Sequence, residues 1–121
     1  MKEGWAIYLA NAPINYFELL GYLPENVELL EETPVEPIDF VHWFVRDMAE
    51  LKSDIMTYQA MIKKTGMLWI SWPKGSSPLQ SDFNGNDVRS VGLSSGLVDN
   101  KVCAVDEDWS GCRFVYRLKE R

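Results

Sequence analysis

Histidine occurs once in these 121 residues, cysteine twice, and no apolar run approaches the roughly 20 residues that a helix needs to cross a bilayer. Each scarcity removes a class of protein. One imidazole, His42, without any Cys-x-x-Cys pair leaves no ligand set for a zinc site. Two thiols do not make a disulfide scaffold. Cys103 and Cys112 fall on two neighbouring strand-like runs, near enough for a bridge, but free buried thiols in a reducing compartment are the expectation. The chain opens Met1-Lys2-Glu3-Gly4 straight into an apolar run, without signal-peptide architecture, so the expected location is the cytoplasm. Bases are scarce in the first 45 residues, where Lys2 alone stands against Glu3, Glu18, Glu25, Glu28, Glu31, Glu32, Glu36 and Asp39. That acidic half repels phosphate backbones, which argues against nucleic acid; it serves as a solvated face or as a docking surface for a basic partner. Phosphate-binding loops, nucleophile elbows and metal-binding helix motifs are also missing, so catalysis has no motif to rest on.

What the chain does contain is a series of strand-length apolar runs punctuated by helical periodicity. Residues 67–72, closed by Pro73-Lys74 and Gly75-Ser76-Ser77-Pro78, read as a central strand. A helical pattern over 47–64 precedes it, with Met48, Leu51, Ile55, Tyr58 and Ile62 at spacings of three and four. Asp47 is placed to open this helix, Lys63 and Lys64 to face its dipole, and Gly66 to end it as a C′ residue. Residues 5–10 and 40–45 are apolar on both alternating faces, as strands covered on both sides are. Residues 27–32 read as a short outer strand. Asn15 would cap a short helix ending at Gly21, and Asn86 or Asp87 a later one with Val88 and Val91 inward, stopped near Gly96. Residues 101–105 and 112–117 make an antiparallel hairpin around 106–111.

The expected architecture is a single α/β domain over 1–121. It is a compact three-layer Rossmann-like fold, with a mostly parallel sheet of about six strands and an antiparallel C-terminal hairpin strand. One connection is short: about seven residues with two prolines, Pro34 and Pro37, lead into the 40–45 strand. Extended, they span roughly 23–25 Å, enough to step across one neighbouring strand without a covering helix.

Several segments carry a resemblance. Met67-Leu-Trp-Ile-Ser-Trp-Pro-Lys74, Asp87-Val-Arg89, Gly92-Leu93 and residues 96–111, together with Asn11-Ala-Pro13 and Asp39-Phe-Val-His-Trp43, are similar to a family of small bacterial proteins carrying a domain of unknown function. That likeness implies no activity. A wider resemblance, through the helix-glycine-strand step and the final hairpin, is to class I methyltransferases that use S-adenosylmethionine, and it implies their Rossmann-like fold. Those enzymes follow the first strand with a glycine-rich turn, whereas this chain has Asn11-Ala12-Pro13-Ile14-Asn15. Glu31 or Glu32 stands where such enzymes hold the ribose hydroxyls with an acid. The missing glycines disfavour S-adenosylmethionine and leave the cofactor unassigned.

Open parallel sheets bind ligands beyond the carboxyl ends of their strands, which directs attention to Asn11, Asn15, Arg46, Lys74, Ser76 and Trp109. Lys74 with Ser76 and Ser77 would hold a small anion through an ammonium, two hydroxyls and free backbone amides, or else is a solvated loop. Trp109, in the hairpin turn, would be a stacking lid or fold back onto the sheet edge. His42, mid-strand, is expected as a buried, hydrogen-bonded core residue, and Asp106, Glu107 and Asp108 as a solvated turn rather than a metal site. The function these features predict is a non-catalytic or cryptic binding or regulatory module. Two alternatives remain: a small enzyme or binder of a nucleotide-type or anionic ligand at the same edge, and a subunit of a larger assembly. For the last, the 27–32 strand and one of the hairpin strands would be edges open to a second copy or a protein partner.

Overall fold

Strands form where the apolar pattern runs without interruption, and a computed structural model, which describes residues 5–11, 28–30, 34–73, 83–104 and 109–117, shows how they associate. β1 (Ala6–Ala10), β2 (Glu28–Leu30), β3 (Ile38–Phe44), β4 (Ile62–Pro73), β5 (Leu97–Ala104) and β6 (Trp109–Tyr116) make one sheet in the order β2-β1-β3-β4-β6-β5. The first four strands are mutually parallel, and β6 is antiparallel to both β4 and β5. From β1 the chain moves outward to β2, then returns past β1 to β3, so the short proline-containing connection does step across one strand. The direction of winding reverses between β1 and β3. That is the switch point of the sheet.

Two helices are described. Asp47 accepts a hydrogen bond from the Ala49 amide at 2.8 Å and opens α1 (Met48–Ala60). Asn84, two or three positions earlier than the sequence suggests, opens α2 (Gly85–Ser94), because Asn84 and Asp87 exchange side-chain and backbone bonds as a capping box. Gly96, at φ 100°, follows the α2 C-cap in the left-handed region that glycine alone enters freely. Leu51 and Ile55 of α1 and Val88 and Val91 of α2 belong to one hydrophobic cluster with Val41, Trp43, Leu68, Ile70 and Phe114. The helices touch each other and therefore cover one face of the sheet together. The short helix expected from Asn15 to Gly21 lies outside the described residues. Neither described helix is long and apolar enough to cross a membrane.

The period-2 geometry of β3 sends Phe40, His42 and Phe44 to the opposite face, where all three are buried. An aromatic wall results, with Trp5 and Trp69 each about 6.2 Å from a β3 ring.

One expected element divides differently. α1 stops at Ala60, and residues 62–66 belong to β4, so Gly66 is not a helix terminator and Lys63 and Lys64 do not face the helix dipole. Tertiary pairing overrides the helical spacing of Ile62: Ile62 stands opposite Ile38, Lys63 reaches Asp39 at 3.3 Å, and the Lys64 ammonium lies 4.1 Å from the Tyr116 ring centre. Gly66 sits at the register shift between Ile38 and Phe40, where a Cβ would approach the Asp39 carbonyl oxygen to 2.9 Å. Backbones meet there too closely for a side chain.

The hairpin strands are also longer than expected. Trp109 begins β6 rather than sitting in the turn, and β6 is interior, so only β5 of that pair forms an edge, with β2 at the other side. Register places Cys103 opposite Gly111 and Cys112 opposite Val102, and Cys112 is buried.

Candidate functional site

Asn11 is the first residue past β1, and it holds φ 58°, in the left-handed region that asparagine tolerates better than most side chains. This turn aims its amide at α1. Asn11 Nδ2 donates to Glu50 Oε1 at 3.1 Å, across 39 positions of sequence. Glu50 is available because β3 passes into α1 through only three residues, which holds the first helical turn against the carboxyl edge of the sheet.

β3 ends at Phe44, which is 2% exposed, and Arg46 follows two residues later at the surface. Trp109 comes from the far end of the chain. Since β6 runs antiparallel, its first residue pairs with Pro73 at the carboxyl end of β4 and is delivered to the same edge. The Trp109 ring meets Phe44 edge to face, 5.0 Å between centroids at 87°. Asn11, Phe44, Arg46, Glu50 and Trp109 line a cleft of about 390 Å³ at the β1/β3 switch point.

Behind this cleft, His42 stacks on Phe44 at 4.3 Å and 21°, and its Nε2 shares a 2.6 Å hydrogen bond with Ser71 Oγ. Burial lowers the His42 pKa to about 3, because the low-dielectric surroundings disfavour the imidazolium. The ring is therefore neutral near pH 7, and it supports the cleft wall rather than lining it.

Three of the six residues singled out from sequence, Asn11, Arg46 and Trp109, converge here. Asn15, Lys74 and Ser76 lie outside the described residues, as do Ser77 and Asp106 to Asp108. Trp109 packs on Phe44 at the sheet edge, the second of the alternatives set out for it, and borders the cleft. Phe44 and Glu50 were missed. Glu50 stands three positions after the Asp47 cap, where an acid faces the amino end of its helix, and that spacing was the signal available for it. A second hollow, about 280 Å³, lies at the opposite end of β3 among Pro34, Val35, Glu36, Pro37, Thr57, Ala60 and Met61, with far less convergent polar chemistry. No group of three or more His, Cys, Asp or Glu side chains among the described residues is placed to hold a metal ion.

A parallel sheet reversed at its penultimate strand, with a cleft at the β1/β3 edge, defines the fold as that of the class I methyltransferases. Solved structures agree on the fold. A Burkholderia thailandensis 1,6-didemethyltoxoflavin-N1-methyltransferase, with bound 1,6-didemethyltoxoflavin and S-adenosylhomocysteine, superposes at TM-score 0.61 and 11% identity, over 93% of this chain and 71% of that one. A TehB-like methyltransferase from Corynebacterium glutamicum gives TM-score 0.60 at 11% identity over 97% and 83%. An Aquifex aeolicus S-adenosylmethionine-dependent methyltransferase gives 0.59 at 14% over 93% and 82%. At sequence level, residues 24–118 match the protein family of unknown function DUF3052, and the chain belongs to that family. A search of curated proteins finds no match.

The fold family implies S-adenosylmethionine, and the residues after β1 do not fit the glycine-rich mode of holding it. Asn11 brings a side chain to the position where backbone must approach a ligand closely, and that side chain is tied to Glu50.

Proposed function

We propose that this protein is a small-molecule-binding module on a methyltransferase-type scaffold, working by recognition rather than catalysis, with its ligand in the cleft at the β1/β3 switch point. The observation that carries this reading is the convergence of Asn11, Phe44, Arg46, Glu50 and Trp109 from three separate parts of the chain. The placement follows the general rule for open α/β sheets, and a few polar groups against an aromatic wall is the usual make-up of a ligand site. Support for a non-catalytic role is chemical. The one imidazole, His42, is buried behind the wall with a depressed pKa, and the cofactor turn is replaced by a tethered Asn11.

Thermal-shift measurements with S-adenosylhomocysteine, mononucleotides, phosphate and free amino acids test this, combined with the Trp109 indole N–H signal in NMR spectra. A bound ligand at a hundredfold excess over Kd adds about 2.7 kcal/mol, several degrees in midpoint for a domain of this size. The expected result is a midpoint rise with one of these compounds and a saturable displacement of the Trp109 signal. Absence of both across the panel would overturn the reading. Tight binding of S-adenosylhomocysteine would instead favour a transferase at the same edge.

A further inference from the structure

We propose that the cleft accepts a neutral, hydroxyl-rich ring of the monosaccharide class, with two neighbouring hydroxyls bonded to Glu50 and a C–H face laid against Phe44 and Trp109. This rests on the cleft being the ligand site, names the class it selects and adds neutral sugars to the thermal-shift panel.

Hydrogen-bonding capacity, not charge, carries the inference. Each lining side chain with an N–H to give is already engaged: Asn11 Nδ2 donates to Glu50 Oε1 at 3.1 Å, and Arg46 and Trp109 each have an interaction of their own. A carboxylate or phosphate ligand would compete for those donors. Acceptors are in surplus, because a carboxylate has about four acceptor positions. Among the described residues the Glu50 side chain receives only the Asn11 bond, and Asn11 Oδ1 receives none. The ligand that fits brings donors. A hydroxyl brings one and also accepts, so it bonds to the Asn11–Glu50 pair and asks nothing of Arg46. Two hydroxyls on adjacent carbons match the paired oxygens of one carboxylate, in the stronger, charge-assisted kind of O–H···O bond. Asn11, held at φ 58° just past β1, orients the carboxylate for that role through its own bond.

The body of the ligand is set by the wall. Phe44 and Trp109 meet edge to face at 5.0 Å, and the His42 ring stacked on Phe44 leaves that apolar wall little freedom to retreat. A sugar ring has the matching character, with C–H bonds on its faces and hydroxyls around its rim. Size points the same way: about 390 Å³ falls near the lower end of the roughly 300–1,000 Å³ range of ligand sites, which suits one sugar ring better than a dinucleotide.

The test follows the Trp109 indole N–H in the intact ¹⁵N-labelled chain, assigned through Trp109→Phe, during titration with D-glucose, D-galactose, D-ribose, tetrahydropyran-2-methanol, cyclohexylamine, adenosine, L-phenylalanine and phosphate. At least one sugar should displace the signal saturably. Tetrahydropyran-2-methanol, which keeps the ring and lacks adjacent hydroxyls, should bind about tenfold more weakly, and Glu50→Gln should weaken the sugar by about the same factor. Equal binding of tetrahydropyran-2-methanol, a sugar affinity that survives Glu50→Gln, or displacement only by the amine, adenosine, the amino acid or phosphate would overturn the monosaccharide while leaving the cleft as a ligand site. No displacement by any of these compounds or by S-adenosylhomocysteine would overturn both.

Discussion

His42 and Ser71 are joined at 2.6 Å across neighbouring strands, on the sheet face opposite the two described helices. Ser71 pairs in register with Phe44, so the bond runs diagonally, and it gives two fully packed polar groups a partner where water does not reach.

Stability should therefore depend on pH through His42. Its folded pKa, about 3, lies below the unfolded value of 6.5, so the native state binds fewer protons. Its contribution is complete above about pH 6.5 and is lost as pH falls toward 3, at about 1.4 kcal/mol per unit. Urea unfolding at pH 7.5 and 5.0 should show wild type losing about 2 kcal/mol more than His42→Gln. Equal losses would mean that the imidazole protonates without unfolding.

Gly92 sits in α2 directly against the Phe114 ring, and a Cβ there would collide with Cε1 and lie 2.6 Å from Cζ. In a free helix Gly→Ala stabilises by about 1 kcal/mol. Here the fully buried ring has no room to give, and Gly92→Ala should destabilise by about 1–3 kcal/mol. A higher urea midpoint for the variant would show that Phe114 repacks instead.

Asn11 separates conformation from chemistry. Asn11→Gly keeps φ near 58° at little cost, whereas Asn11→Ala should lose about 1 kcal/mol for holding a left-handed angle. Both remove the bond to Glu50, so both should weaken ligand binding to a similar degree. If affinity instead tracked stability across the pair, the amide would have no role in recognition.

Asn84 exchanges bonds with Asp87 at 2.9 and 3.1 Å to open α2. Asn84→Ala should cost about 1 kcal/mol and Asn84→Asp or Asn84→Ser much less. Chemical denaturation of the three variants checks the ranking, and three equal losses would assign the effect to packing rather than capping.

Local pattern was enough for much of this molecule. Apolar runs marked β1, β3 and the second half of β4, and periodicity with Asp47 marked α1. Those signals are local because a side chain's direction depends on the helical or extended repeat of its own segment. The carboxyl edge was legible on the same terms, and Asn11, Arg46 and Trp109 were found there because they border strands. What local pattern does not encode is competition from a distant strand. Ile62 continues the three-and-four spacing of Leu51, Ile55 and Tyr58, yet Ile38 captures it, since a sheet position satisfies its backbone and buries its side chain together. Only the tertiary structure decided that Gly66 marks a close backbone approach, that β6 is interior, and that Glu50 and Phe44 complete a cleft with Asn11 and Trp109. These outcomes depend on strand order and register, which arise from contacts between residues far apart in the chain and leave no period in the sequence.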